Sequence, residues 1–328
     1  MTERLPSAAP ATERIPNGTR DVLPDEMREL RAMTERIRAV FESAGYGEVY
    51  TPALEFERTF ETGESPAYRL FDEHGNVFVL RSDMTVPIAR VVGTRYRTAD
   101  VPLRFCYFAH SYRGARPQRG QSRELLQAGV ELVGAPGPAG TAEALTVMCD
   151  ALDAAGLANY RVGLGDVMLY PSLLRSLGVD GPRAERVLAL LARGDFVGVE
   201  MEIGEAGIAR GDAELLLTVA RTRGGPEVLE QLSGPLEEAG TGMRAVHSLL
   251  APKTAERVIF DFGLVRSIGY YTGAVFQVYD PAYGVPLGSG GRYDELLARF
   301  GRSLPAVGFA LNVERLHIAL TAEERSRG

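Results

Sequence analysis

The 328-residue sequence predicts an α+β fold: an antiparallel sheet flanked by helices, with a helical insertion. Three observations predict it. Segments of strand character neighbour one another through loops, without the regular βαβ alternation of a doubly wound fold. Helical periodicity marks other segments clearly. Between 171 and 256 the composition shifts to Leu, Ala, Glu and Arg, punctuated by glycines.

In order along the chain, 25–44 places Met27, Leu30, Met33, Ile37, Val40 and Phe41 at steps of three and four, one face of a helix. Pro24 suits its start and Gly45 its end. A short strand over 47–51 runs into Pro52, which suits a strand end. Residues 71–80 read as a hairpin around His74-Gly75-Asn76, leading through 81–85 into a helix. Strands over 101–110 and 125–133 flank a Gly- and Arg-rich loop at 111–122, which predicts an antiparallel pair. A helix over 141–155 has Thr141 as its expected N-cap and Glu143 in its first turn. Across 171–256, Gly178, Gly194, Gly211, Gly224-Gly225 and Gly240 separate short helices. Strand character returns at 258–262 and 270–279. Gly288-Ser289-Gly290-Gly291 reads as a tight turn before a helix from Tyr293, and a last strand over 306–311 enters a helix near Val313. The expected organisation is a disordered tail over 1–15, a core over 16–170 and 257–320, and an inserted helical module over 171–256. The sequence has no internal repeat.

Composition narrows the function classes. Hydrophobic residues make up 45% and charged residues 24%, ordinary for a soluble globular protein. No apolar run suits a membrane span, and the polar, Pro- and Ala-rich start lacks the apolar stretch of a secretory signal, so the expected location is the cytoplasm. Cys106 and Cys149 sit in apolar settings and read as buried thiols without a disulfide framework. His74, His110, His247 and His317 lack ligand spacing, so no metal site is expected. The formal net charge of -7, with no block of basic residues, gives no support to a nucleic-acid partner. The glycines near 288 do not fit a dinucleotide-binding pattern.

Four constellations can carry chemistry. Arg113, Arg116, Arg119 and Arg123 on one loop can form an anion clamp, since guanidinium forks hold carboxylates and phosphates bidentately. Composition alone favours the blander alternative of a solvated loop. Gln127 and Glu131 lie four apart on a strand, on one side, with Gly129 leaving room between them. They suit a ligand's ammonium and imidazole N–H, or equally a merely wet sheet face. Residues 266–273, Arg-Ser-Ile-Gly-Tyr-Tyr-Thr-Gly, put an arginine beside paired tyrosines. They line either a ligand or the core. Finally, 288–294 and 308–316 bring Arg315 to a strand-to-helix junction, a charge at a cleft or ordinary packing.

Taken in order, these segments resemble the class II aminoacyl-tRNA synthetase core, and specifically the histidyl-tRNA synthetase family. Residues 17–21 and the helix and strand ending at Pro52 look like motif 1, 113–134 like motif 2, and 266–273 like the histidine-specific segment. The stretches 290–294 and 308–316 look like the family's glycine turn and motif 3. The resemblance implies a histidine pocket formed by Asp83, Thr85, Arg113, Gln127, Glu131, Arg266, Tyr270 and Tyr271. Asp83, Thr85 and Gln127 would hold the ammonium, Arg266 the carboxylate, and Glu131 with Tyr271 the imidazole.

The nucleotide side departs from the family. Ala115 stands where motif 2 has a glutamate that reads adenine, Gln121 where it has a phosphate-holding arginine, and Asn312 where motif 3 has a glycine, although Arg315 persists. Gly269 replaces a usual acid. Such losses weaken the contacts on which adenylation depends. The short stretch after Leu316 leads to the expectation that no anticodon-binding domain follows. The combination resembles the regulatory subunits of short-form ATP phosphoribosyltransferase, which start histidine biosynthesis with a catalytic partner. That resemblance implies a non-catalytic chain without cofactor, dimeric within a hetero-octamer, that activates the catalytic subunit and binds histidine for feedback inhibition. The alternative is a histidyl-tRNA synthetase-like catalytic fragment or an amino-acid ligase. An RNA-binding module is a third and weaker reading.

Overall fold

The computed structural model describes residues 15–60, 68–114, 122–265 and 269–327. The tail expected over 1–15 therefore lies almost wholly outside the described residues, and of it only Ile15 is described. Helix α1 (Pro24–Ser43) buries Leu30, Met33, Ile37 and Phe41, the face its periodicity predicts. Gly45 ends it in a left-handed conformation, φ 82°, with the Tyr46 N–H reaching back to the Phe41 carbonyl. Strands β1 (Gly47–Glu48), β2 (Leu54–Phe56), β3 (Arg69–Phe71) and β4 (Val77–Leu80) follow, then α2 (Thr85–Arg95). β3 and β4 form the expected hairpin, and β2 completes a small three-stranded sheet.

The large sheet contains β5 (Leu103–Tyr112), β6 (Glu124–Val133), β7 (Arg161–Asp166), β8 (Arg223–Gly224), β9 (Val258–Asp261), β10 (Ala274–Tyr279), β11 (Gly288–Arg292) and β12 (Ala306–Asn312), with β1 at one edge. Its order is β1-β5-β6-β12-β11-β10-β7-β9-β8. The middle pairs antiparallel, as expected, from β5 through to β7. Both flanks depart from that pattern: β1 pairs parallel with β5, and β7 with β9. The sheet is therefore mixed. Parallel neighbours need long crossovers, and the helical stretch between β7 and β9 supplies one.

That stretch carries α4 (Leu169–Ser176), α5 (Gly181–Ala192), α6 (Phe196–Glu205), α7 (Arg210–Arg221), α8 (Glu237–Ser248) and α9 (Pro252–Ala255). Helix α3 (Gly137–Ala155) precedes it, and α10 (Val313–Arg327) closes the chain. One face of the sheet, including Cys106, Val130, Phe276 and Phe309, packs on α1 and α3. Phe41 meets Phe309 edge-on at 5.9 Å between ring centroids. The same core continues into the helical stretch through Leu173, Val187, Val199 and Leu216. Both cysteines are buried and free. Among the described residues no helix is long and apolar enough to cross a membrane.

Four local expectations are corrected. Residues 288–291 are strand β11, not a turn, and a short 3-10 segment, Leu296–Phe300, replaces the helix expected from Tyr293. Glycine suits this strand because its neighbours crowd it: a Cβ on Gly291 would lie 2.7 Å from the Tyr271 ring. Thr141 does not cap α3, which begins four residues earlier with a proline in its first turn. Thr141 is instead fully buried one turn in. The strand expected over 270–279 starts only at Ala274, because the Thr272 N–H turns aside to the Arg292 carbonyl at 2.8 Å.

Candidate functional site

The second face of the large sheet is cleared by glycine. Register places Tyr107 opposite Gly129 and Gly129 opposite Ala310, while Glu131 faces Gly308 and Gly308 faces Gly291. Directly opposed residues share a face, so Gly129, Gly308 and Gly291 form a floor without side chains. A Cβ on Gly308 would run into Glu131 Oε2, and one on Gly129 into the Tyr107 phenol. Room for a ligand and room for the pocket's own side chains thus depend on the same glycines.

Glu131 rises from this floor and is only 1% exposed. Thr85 Oγ1, at the start of α2, donates to Oε1 at 2.7 Å, and the Tyr293 hydroxyl donates to Oε2. Burial pushes the Glu131 carboxyl up to about 8, against the two donors, and the nearby Asp83 charge adds to the rise. Asp83 is raised too, again chiefly by burial, and is opposed by the Val86 N–H at 2.9 Å and by the charge of Arg113. Tyr107, Tyr270 and Tyr293 are all raised well above 10, burial first, so each remains a neutral hydroxyl. Tyr270 stacks edge-on against both Tyr271, at 5.1 Å, and Tyr293, at 5.8 Å.

The structure therefore gathers Asp83, Thr85, Glu131, Tyr270 and Tyr271, with the Arg113 charge acting on Asp83. Gln127 stands on the same face two repeats from Glu131 along β6, between Ala109 and Asn312. Its Oε1 is buried without a hydrogen-bond partner. A buried acceptor left unpaired costs roughly 1–3 kcal/mol, so its presence is explained if a ligand donates to it. Arg266, Ala115, Arg116, Arg119 and Gln121 lie outside the described residues. Of the arginine loop, Arg123 is committed to structure: its Nε donates to the Asn17 carbonyl at 2.6 Å and its guanidinium also meets Tyr68.

At the end of β12, Asn312 Oδ1 accepts from the Arg315 N–H at 2.9 Å, the geometry of a helix N-cap for α10. The Arg315 guanidinium donates to the Pro286 carbonyl at 2.7 Å. Tyr271 also borders a second cleft of about 580 Å³ between α4, α5 and the chain near Leu264. Among the described residues no group of three His, Cys, Asp or Glu side chains converges as a metal site would require.

Sequence reasoning missed Tyr293, Tyr107 and Gly308. Tyr293 fell within a segment singled out for its glycines, and nothing in its spacing points back to a strand 162 residues away. The only available signal was the run of glycines itself, which marks close approach.

A mixed sheet, antiparallel through its middle and carrying these carboxyls, tyrosines and glycines, is the core of a class II synthetase-like protein. A family model described as Histidyl-tRNA synthetase matches residues 18–316. The ATP phosphoribosyltransferase regulatory subunit of Symbiobacterium thermophilum is 42% identical over 323 residues, covering 93% of this chain and 79% of that relative. A crystal structure of an ATP phosphoribosyltransferase regulatory subunit/histidyl-tRNA synthetase from Bacillus halodurans C superposes with a TM-score of 0.87 at 32% identity, covering 95% of this chain and 84% of that one. A Histidine–tRNA ligase subunit from Alicyclobacillus acidocaldarius follows at 0.82 and 31%, covering 97% and 100%. The chain belongs to the histidyl-tRNA synthetase family, in the branch of the ATP phosphoribosyltransferase regulatory subunits.

Proposed function

We propose that this chain binds free histidine in the Glu131 cleft and, as the non-catalytic regulatory subunit of a short-form ATP phosphoribosyltransferase, transmits feedback inhibition to a catalytic subunit it also activates. In this reading it acts in the cytoplasm as a homodimer within a hetero-octamer, and 171–256 is a module inserted into the synthetase-like core. Asp83, Thr85 and Gln127 hold the ammonium, Arg266 the carboxylate, and Glu131 with Tyr271 the imidazole, with Arg113 and Tyr270 counted among the histidine-binding residues.

The observation that carries the reading is the unpaired Gln127 Oε1 on the same sheet face as a buried, doubly hydrogen-bonded Glu131. The amino-acid half of the cleft has acceptors waiting for N–H donors. Asn312, opposite Gln127 across the strand pair, is occupied as a helix cap. Histidine inhibits only to the extent that it binds the less active conformation of the complex more tightly.

Calorimetry of the purified chain with histidine and, separately, with ATP tests this directly. Saturable histidine heat without ATP heat is the expected result. Glu131→Ala, assembled with the catalytic subunit, should lose histidine inhibition while the complex still forms. Unchanged inhibition in that variant would remove the effector from this cleft. A second reading, an amino-acid-activating ligase, is favoured by the retained Arg315 and by the ligase name of the Alicyclobacillus relative. Histidine-dependent exchange of pyrophosphate into ATP by this chain alone would support it and defeat the regulatory one.

A further inference from the structure

The most constrained group in the cleft is one the recognition of histidine has not yet been asked to use. Tyr293 is 2% exposed, and its backbone N–H is tied to the Ala306 carbonyl at 2.8 Å. The next residue, Asp294, is held three ways: its N–H reaches the Thr272 hydroxyl, its Oδ1 accepts from the Ala306 N–H, and its Oδ2 pairs with Arg292. The phenol therefore arrives at Glu131 from a backbone with little freedom. Its ring rests edge-on against Tyr270, which rests in turn against Tyr271.

We infer that Tyr293 is a positioning residue that sets ligand specificity: with Thr85 on the other oxygen, it fixes Glu131 as an acceptor for a ring N–H of the bound amino acid. This rests on the histidine reading above and deepens it. Burial favours the protonated acid in the empty pocket, and a ring N–H joining Thr85 and Tyr293 favours the ionised form, which offers about four lone-pair positions. Thr85 and Tyr293 occupy one on each oxygen, and the carboxyl lies in the space left by the missing side chain at Gly308. In that ionised form the positions left over accept hydrogen bonds and donate none. A side chain with an N–H satisfies them, whereas an isosteric ring without one leaves a buried carboxylate short of a partner. Removing the phenol leaves burial less opposed at Glu131, which drives the group toward the protonated form that presents an O–H in place of a lone pair.

The experiment compares L-histidine with β-(2-thienyl)-L-alanine, a five-membered ring of similar shape without an N–H, by calorimetry on the full chain. Wild type should prefer histidine strongly. Tyr293→Phe keeps the ring and its stacking, and should lower histidine affinity roughly 10- to 100-fold, the range for a lost hydrogen bond to a charged group. Thienylalanine binding should change little, so the preference ratio narrows. A merely structural role would weaken both ligands alike, and an unchanged ratio overturns the inference. Glu131→Gln keeps the question open to test if Tyr293→Phe does not fold. With Tyr293 donating to the amide oxygen, the amide N–H₂ replaces the oxygen that accepts from Thr85, so acceptor positions are lost and the preference for histidine should narrow; an unchanged ratio overturns the inference equally. A wild-type chain that binds no histidine defeats the effector reading itself and takes this inference with it, whereas wild-type binding with an unmoved ratio defeats only the role of Tyr293.

Discussion

Gly308 lies directly opposite Glu131 across the β6–β12 pair, and a side chain on it would occupy the space of the Glu131 carboxylate. A glycine at an ordinary strand position thus sets the orientation of the most buried acid in the cleft. Gly308→Ala should force the carboxyl off its two donors. The expected cost is about 1–3 kcal/mol of stability, the range for overpacking, together with loss of histidine binding. Denaturant melts with and without histidine check it; a variant that melts and binds like wild type would show that the sheet yields instead.

Gln127 makes a prediction of opposite sign. Its unpaired Oε1 burdens the ligand-free fold. Gln127→Met should therefore raise the stability of the empty protein by ~1 kcal/mol while weakening histidine binding. Paired thermal and calorimetric measurements decide it. A destabilised variant with normal affinity would mean that the amide serves the fold and not the ligand.

Glu131 predicts a pH dependence. Its folded value, about 8, lies above the ordinary carboxyl value, so the unfolded state ionises first as pH rises. The stability it contributes is complete below about pH 4 and falls steadily until pH passes 8. Asp83, Thr85 and Tyr293 act on it, while its own charge acts on the phenols of Tyr107, Tyr270, Tyr293 and Tyr46, which stay neutral across this window. Unfolding free energy measured from pH 5 to 9 should decline in the wild type on the order of a few kcal/mol and be flatter in Glu131→Gln. Parallel curves would place the titration elsewhere.

A second carboxyl titrates in a lower window. Asp280, buried beside Glu323 where the end of β10 meets α10, is raised to about 6, first by burial and then by Glu323. Glu323 itself accepts from the N–H groups of Ala158 and Asn159, which holds it in place. Because the shift is upward, its stabilising contribution is present at about pH 4 and is lost as pH rises through 6. Asp280→Asn keeps an acceptor for the Ala282 N–H and should gain ~1 kcal/mol at pH 7 while flattening the curve between 4 and 7. A loss of stability at pH 7 would contradict this.

Asn312 separates a capping role from a ligand role. Asn312→Ala should cost about 1 kcal/mol through loss of the α10 cap, and Asn312→Gly only a few tenths. Neither should create ATP binding detectable by calorimetry, since the other departures on that side, Ala115 and Gln121, remain. ATP heat appearing in the glycine variant would show that this one side chain blocks the nucleotide.

The sequence by itself determined the elements whose signal is local. The apolar face of α1, the hairpin at His74-Gly75-Asn76 and the β5–β6 pair follow from periodicity and turn chemistry, because neighbouring residues decide them. Ordered motifs identified the family and, through it, nominated Asp83, Thr85, Gln127 and Glu131. Tertiary structure alone decided what depends on partners distant in the chain. Gly288-Ser289-Gly290-Gly291 has the composition of a turn and becomes a strand because β10 and β12 supply its hydrogen bonds on both sides. The parallel flanks, the displacement of Thr141 into a buried turn of α3, and the meeting of Tyr293 with Glu131 have the same origin. Local propensity is a weak bias of tenths of a kcal/mol per residue, and hydrogen-bond pairing and burial across the fold override it wherever glycine leaves the backbone free to follow.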